Sequence, residues 1–539
     1  MTITTHPNRP PDADASRPVA ATHDRRWAIL AVLCLSAFVT VLDGTIVNVA
    51  LPSLSIDLGA TTRQLQWIVD AYLLVFTGLL LAAGSVGDRW GRKRALLVGL
   101  AVFGATSAFA GSVDSAGALI GGRALMGVGA ALIYPATLAI ITATFTDALE
   151  RAKAIGIWAA VSGMAVAFGP ITGGWLLEHF WWGSVFFVNL PVVAGAIALT
   201  AWLVPESSDR ETPPLDKLGF ALSIAGITAL VFAIIEAPEW GWLDGQTIGT
   251  FGLAAGLLAA FVAWELHVDE PMLPVRIFEN LRFSAASAAV TSAFFALFGF
   301  VFLVTQYFQF VRGYRPLEAG LRTIPVAVAI ALASIVAPML VERVGTKRVV
   351  AAGLMSMSAA FLWISTVAVG TDYLVIVGQM ILLGAGLGAT TAPATESIMG
   401  SLSVDKAGVG SAVNDTTREL GGTLGVAILG SVFNSLYSAG IESGTAVAQL
   451  PVAAQEAVKE SIGAARFVAN DLGAAAPAFM TDVNSAFIDG MAMACYLAAG
   501  VTLAGAMFVL RFLPARSGEA AASETAGRAE PAHMVAEPA

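Results

Sequence analysis

The sequence predicts an all-α integral membrane protein built on an internal duplication, and three observations carry that expectation. Of 539 residues, 57% are hydrophobic and 13% charged, with a mean hydropathy of +0.76, whereas soluble domains are about a quarter charged. The apolar residues gather into runs, many of them longer than the roughly 20 residues a helix needs to cross a bilayer. Between two such runs lies a basic loop, Gly84-Ser85-Val86-Gly87-Asp88-Arg89-Trp90-Gly91-Arg92-Lys93-Arg94. A worn copy stands at Val341-Glu342-Arg343-Val344-Gly345-Thr346-Lys347-Arg348, with acid, arginine, glycine and two terminal basic residues at the same spacing. A soluble globular fold is excluded. The formal charge of −10 lies in loops and in a tail, not on a binding face, so no nucleic-acid partner is expected.

Taken in order, residues 1–26 are rich in Pro, Asp, Thr and Arg and read as a disordered cytosolic tail, not as a cleavable signal. Fourteen spans follow, near 27–52, 65–87, 93–111, 115–145, 151–177, 181–205, 215–237, 246–266, 281–310, 317–341, 347–368, 372–400, 408–436 and 484–513. With the N-terminus inside, most of the 29 Lys and Arg fall on the cytosolic side, as charge retention requires. Arg63, Arg312, Arg315, Lys459 and Arg466 fall outside, and Arg123, Arg322 and Arg418 lie within or at the edge of spans. An even number of spans returns the disordered tail 514–539 to the cytosol, so both termini are expected there. The loop 437–483 is then external, with a short surface helix expected near 453–468. Cys34 and Cys495 sit in apolar runs with no disulfide or metal spacing.

The basic loop follows the second span and its copy follows the tenth, so equivalent helices stand eight apart. Two six-helix halves, 27–205 and 281–513, separated by two inserted helices within 206–280, explain that offset. Gly127-Val128-Gly129 with Pro135 on the fourth span is echoed by Gly384-Ala385-Gly386 with Pro393 on the twelfth. Paired repeats that rock about a midplane site are a recurrent transporter design.

Four stretches resemble a known family. Leu42-Asp43-Gly44-Thr45-Ile46-Val47-Asn48-Val49-Ala50-Leu51-Pro52 looks like the first-helix signature of the fourteen-helix drug:proton antiporters of the major facilitator superfamily. The loop 84–94 resembles that superfamily's cytosolic loop. Gly121-Gly122-Arg123-Ala124-Leu125-Met126-Gly127-Val128-Gly129 resembles its fourth-helix arginine motif, and Gly163 with Gly169-Pro170-Ile171-Thr172-Gly173-Gly174 resembles the antiporter motif. Before Asn189-Leu190-Pro191 the chain departs from the family, with Gly183 and Ser184 where an arginine and a tryptophan are usual. The resemblance spans 27–513. It implies a major facilitator fold and a multi-pass inner-membrane exporter of small amphiphilic or cationic compounds, driven by protons, without a cofactor and as a monomer. Exporters of a physiological lipid, siderophore or metabolite would share every motif. A non-transporting receptor or a membrane enzyme would need a module that no inter-span segment is long enough to supply. No GxxxxGK[ST] phosphate loop is present, so a gradient is expected to supply the energy.

Charges inside spans are costly and mark ion or substrate pathways. Asp43 and Arg123 lie at matching depths, at about 1.5 Å per residue from the outer ends of their spans, so they are expected to interact. On the thirteenth span Asp415, Arg418 and Glu419 share a face at i, i+3 and i+4. Two carboxylates sharing one guanidinium leave one negative charge for a proton or a cationic substrate. Asp43, Asp415 and Glu419 are therefore the expected proton carriers, with Arg123 and Arg418 as charge partners.

Gly84, Asp88, Arg89, Gly91 and Arg92 form the expected cytosolic gate, where Asp88 and Arg92 can pair across one helical turn; the plainer alternative is a positive-inside anchor. Gly163, Gly169, Pro170, Gly173 and Gly174 are expected to kink the fifth span against a neighbour. Asn48, Tyr134, Trp158, Gln306, Tyr307 and Gln309 are the candidate cavity residues, offering aromatic faces and amides. Glu396 is expected at the interface, and Asp70, Glu236, Asp372 and Asp489 near outer ends, facing water. No metal site is expected.

Overall fold

A computed structural model describes residues 25–208, 216–269, 271–401 and 407–514; the expected tails fall almost wholly outside them. All regular structure in the described residues is helical. The long helices are α1 Arg26–Asp57, α2 Thr62–Trp90, α3 Arg92–Ala110, α4 Ala116–Thr144, α5 Ala148–His179, α6 Asn189–Leu203 and α7 Lys217–Trp240. They continue as α8 Gly245–Glu265, α9 Leu281–Gln306, α10 Ile324–Val344, α11 Thr346–Ile364, α12 Tyr373–Met399, α13 Ala407–Ser443 and α14 Ala476–Phe512. Thirteen spans are long and apolar enough to cross a membrane, and α2, bent by 55° between Thr62–Leu80 and Ala82–Trp90, makes fourteen.

Local chemistry sets where these helices begin. Thr61 and Gln64 form a capping box on α2, and Ser115, Asp147, Asp216, Asp244, Asn280 and Asp372 each accept backbone N–H groups at a helix start. The two basic loops are single-residue breaks. Gly91 (φ +118°) ends α2 and opens α3, and Gly345 (φ +88°) does the same between α10 and α11, a conformation that needs glycine. The copies share a backbone as well as a spacing.

Packing repeats with the loops. A Cβ on Gly127 would lie 2.7 Å from the Tyr72 carbonyl of α2, and one on Gly129 2.7 Å from Phe103 N of α3. In the second half Gly384 meets the Val326 carbonyl of α10 and Gly386 the Gly353 carbonyl of α11. Gly169 and Gly173 press α5 on α1 as Gly421 and Gly425 press α13 on α9. Helices in lipid associate by such close backbone approach, because the solvent is as apolar as their side chains. Of the insert, α7 packs on both α2 and α13, whereas α8 packs on α7 and turns most of its surface outward.

Where described, the hydrogen bonds joining the two halves lie at the end opposite the termini. Gln309 Nε2 donates to Val49 O (2.9 Å), Thr62 Oγ1 to Glu460 O (3.1 Å) and Gln66 Nε2 to Ala427 O (3.0 Å); Ser55 and Ser461 hydroxyls pair at 2.7 Å. The loop expected at 437–483 is shorter and carries two helices, Val452–Glu460 and Ile462–Asp471, where one was expected. Ser461 divides them: its backbone is extended (φ −156°) and its hydroxyl caps the second helix at Gly463 N and Ala464 N.

Gly129→Leu should collapse the yield of monodisperse protein and lower its melting temperature, since backbone blocks the new side chain. Gly249→Leu on α8, where nothing lies within 4 Å, should leave both unchanged. Size-exclusion thermal melts of the two variants check this contrast.

Candidate functional site

Four helices of the first half converge on one buried ion pair. Asp43 (0% exposed) on α1 and Arg123 (1%) on α4 are joined through Oδ2 and Nη1. Arg123 Nε donates to Ile68 O of α2 (3.0 Å), and its guanidinium lies 4.3 Å from the centre of the Tyr72 ring. Asn189, the first residue of α6, donates through Nδ2 to Asp43 Oδ1 (2.8 Å) and to Ser107 Oγ (3.1 Å). Every strong bond of the pair is therefore made by protein. Asn189 and Tyr72 were not among the expected site residues; the polar Asn189 at the mouth of an apolar span was the available signal.

Tyr72 is also part of the wall of a central cavity of about 350 Å³ between the halves. Its first-half wall carries Asn48, Phe76, Tyr134 and Trp158, with Gly163 and Pro170 of α5. Tyr134 and Trp158 rings stand 4.9 Å apart, and Trp158 Nε1 donates to Thr137 Oγ1 (3.2 Å). The opposite wall carries Phe294 and Phe298 of α9 and the charged trio Asp415, Arg418 and Glu419 of α13. Asp43 and Arg123 do not line the cavity; the Tyr72 ring stands between.

Several expected contacts differ. Arg418 does not bridge the two carboxylates: its Nη2 donates to Thr395 Oγ1 of α12 (3.0 Å), its guanidinium lies 5.5 Å from the Phe294 ring, and Nε is buried without a partner. Asp415 Oδ1 accepts instead from Asn414 Nδ2 (3.4 Å). A side chain four bonds long chose a hydroxyl on the neighbouring helix, a partner that spacing along one helix does not reveal.

Gln306, Tyr307 and Gln309 lie outside the central cavity. Gln306 Nε2 bonds Phe302 O in its own helix, Gln309 bridges to α1, and Tyr307 lines a separate apolar pocket of about 20 Å³ within the second half. One π turn, Tyr307–Val311, rotates this stretch off the α-helical register. Gly169 and Gly173 abut α1, and Gly174 meets the Pro316 and Leu317 backbone of the other half. The α5 helix runs continuously through Pro170 from Ala148 to His179.

Two carboxylates expected to face water are buried. Glu236 bonds Arg63 (2.7 Å) and Trp67 Nε1 (3.2 Å), joining α7 to α2. Asp70 is 0% exposed, and neither of its oxygens has a hydrogen-bond partner. Distance from a helix end measures depth, and it does not report that α7 and α13 cover α2 there.

At the other end of α2 the basic loop is fastened to its own half. Arg92 Nε bonds Asp88 Oδ1 (2.6 Å), and Gly84 packs against Pro135 of α4. Glu206, just past α6, accepts from Lys93 N (3.1 Å) and sits over Gly91, while Arg92 N donates to Ser207 O (2.9 Å). Gly183 meets the Gly111 carbonyl directly, so the position where the family carries arginine is closed by backbone. No group of three metal-ligating residues occurs among the described residues.

The profile of the Major Facilitator Superfamily matches residues 33–426. The chain is 36% identical to the multidrug efflux pump LfrA of Mycolicibacterium smegmatis, covering 90% of this chain and 96% of the relative. It is 38% identical to the methyl viologen resistance protein SmvA of Salmonella typhimurium (77% and 84%) and 33% identical to the tetracenomycin C resistance and export protein of Streptomyces glaucescens (98% and 100%). Among solved structures, a bacterial homolog of the human lysosomal transporter Spinster, inward-facing and unoccupied, matches with a TM-score of 0.65 at 16% identity over 93% of this chain and 99% of that one.

Asp43→Asn strands Arg123 as a buried charge and should cost about 3–5 kcal/mol, whereas the double variant with Arg123→Gln should recover most of that loss. Denaturant titration of both variants in lipid nanodiscs checks the asymmetry.

Proposed function

The chain belongs to the Major Facilitator Superfamily, and from that premise we propose that it exports amphiphilic or cationic drugs from the cytoplasm in exchange for protons. The observation that carries this reading is the placement of the acids: one ion pair sealed behind Tyr72, and two carboxylates facing it across an aromatic cavity. The relatives' names, multidrug efflux and resistance to methyl viologen among them, favour such substrates.

Two carboxylates and one guanidinium in the cavity wall give it one formal negative charge, and a lipophilic cation seated between Tyr134, Trp158 and Phe294 would neutralise it. A proton on Glu419 or Asp415 would do the same, so the two compete. Asp43 exchanges its proton only when Tyr72 and Arg123 move, which ties protonation of the first half to a change of state. Asp70 lies deep in α2, with neither oxygen bonded among the described residues. Asn48 completes the polar part of the cavity.

The halves touch through hydrogen bonds at the end opposite the termini, and basic loops crowd the terminal end, so the captured state faces inward with both termini in the cytosol. Residues 27–205 and 281–513 then act as the two rocking bodies, 206–280 as an insertion, and Gly163, Gly169, Pro170, Gly173 and Gly174 as the antiporter-motif hinge. Gly84, Asp88, Arg89, Gly91 and Arg92 form the cytosolic gate. The protein works as a monomer in the inner membrane, without a cofactor.

In proteoliposomes under an imposed pH gradient, the wild type should release protons on addition of a cationic dye, with Asp43→Asn and Glu419→Gln each abolishing that release. Retained dye-dependent proton movement in Asp43→Asn would reassign the coupling to α13. Raising the pH of the compartment facing the cavity should strengthen dye binding to the wild type, since deprotonated Glu419 and Asp415 favour the cation; the Glu419→Gln variant should show a flatter profile in equilibrium dialysis.

A further inference from the structure

At the terminal end of the bundle the two inserted helices share a contact that transport does not use. Asp216 caps α7: its Oδ1 accepts from Leu218 N (3.1 Å) and Gly219 N (2.9 Å). The indole of Trp264 on α8 donates to Oδ1 (2.9 Å) and Oδ2 (2.8 Å) of the same carboxylate. Both oxygens of Asp216 thus accept hydrogen bonds.

Glu265, the last residue of α8, is 3% exposed. Its Oε2 accepts from Leu273 N (3.0 Å), which ties segment 271–273 to the end of the helix, while Oε1 is buried with no donor among the described residues. Gly219 reveals where that oxygen points. A Cβ on Gly219 would meet Glu265 Oε1 at 2.5 Å and also collide with Asp216 Oδ2. The two carboxylates therefore close on one spot from two helices. The charged and titratable groups nearest along each element, Lys217 on α7 and His267 and Asp269 after α8, are exposed, and no ion pair to either carboxylate occurs among the described residues.

Two ionised carboxylates in contact without a cation repel, and a single proton between them removes the conflict. We propose that Glu265 and Asp216 form a proton-sharing clasp in which Glu265 Oε1–H donates to Asp216 Oδ2, fastening segment 271–273 to the root of the inserted helices. That segment leads into α9, the first helix of the second half, while α7 touches α2 and α13. The clasp thus controls how tightly the insert follows the second half. Its closed form binds one proton more than its open form, so it is shut at low pH and opens as pH rises.

The test is hydrogen exchange by mass spectrometry on the full-length protein in lipid nanodiscs over a pH series, corrected for intrinsic exchange. In the wild type, protection at Leu273 should fall by about tenfold per pH unit once the shared proton is lost. Glu265→Gln, whose amide donates where the acid proton did, should stay protected at every pH. Asp216→Asn, which keeps the cap and offers an amide donor to ionised Glu265, should hold the clasp shut at alkaline pH. Parallel loss of protection in wild type and in Glu265→Gln would overturn the proposal, as would protection that follows added Na⁺ or Mg²⁺ at fixed pH and so reports a bound cation. The readout needs no substrate, so it fails or stands apart from the transport reading.

Discussion

An arginine 1% exposed inside an apolar helix is tolerable only if every face of its guanidinium is answered, and the first half is arranged around answering Arg123. The carboxylate comes from α1, a carbonyl and a ring from α2, and α6 contributes Asn189 as second ligand of that carboxylate. Four of the six helices are thus fixed at one point. The second half is built on the same backbone plan without this demand. The Gly129 to Gly386 correspondence puts Met380 where Arg123 stands, and Met380 lines the small apolar pocket. The equivalent position on α12 therefore carries no charge.

The two kinds of contact in the molecule divide its motions. Inside each half, helices meet backbone to backbone at glycines, and any sliding would drive carbonyls into Cα atoms. Between the halves the described bonds are mostly side chains reaching carbonyls or hydroxyls near one end, with Leu317 N donating to Glu178 Oε1, each worth roughly 1 kcal/mol. Rigid bodies joined by weak, localised bonds are the substrate of rocking transitions. Gly174 and Gly320 are the exceptions, packing α5 against the backbone near Pro316 and the short helix before α10 across the interface. The stretch that resembles the antiporter motif therefore lies at the interface between the halves.

Much of this was legible in the residues. Span number, the duplicated loop, the glycine breaks and the Asp43 to Arg123 depth match all follow from local composition and rise per residue. What stayed hidden depends on which surfaces meet. Asp70 and Glu236 lie near a helix end and read as wet, yet the inserted α7 and the distant α13 cover that end of α2. Arg418 had two expected partners within one turn, Asp415 and Glu419, and took a third on α12. Gln306 to Gln309 followed helical spacing until a π turn rotated them away. Periodicity resolves a face; it does not name the neighbour.

The placement of the acids constrains how coupling works. In the proposed exchange Glu419 and Asp415, which line the cavity, respond to whatever fills it, whereas Asp43, bonded to Arg123 and Asn189 behind Tyr72, responds only when Tyr72 moves. A single exposed acid would let protons leak in either direction whenever the cavity opened. A single sealed acid could not sense substrate. Splitting the acids between a wall that meets the cation and a core locked by Arg123 makes the first report occupancy and the second register the change of state. On that reading Tyr72 links the two, since its ring lies 4.3 Å from the Arg123 guanidinium and also lines the cavity.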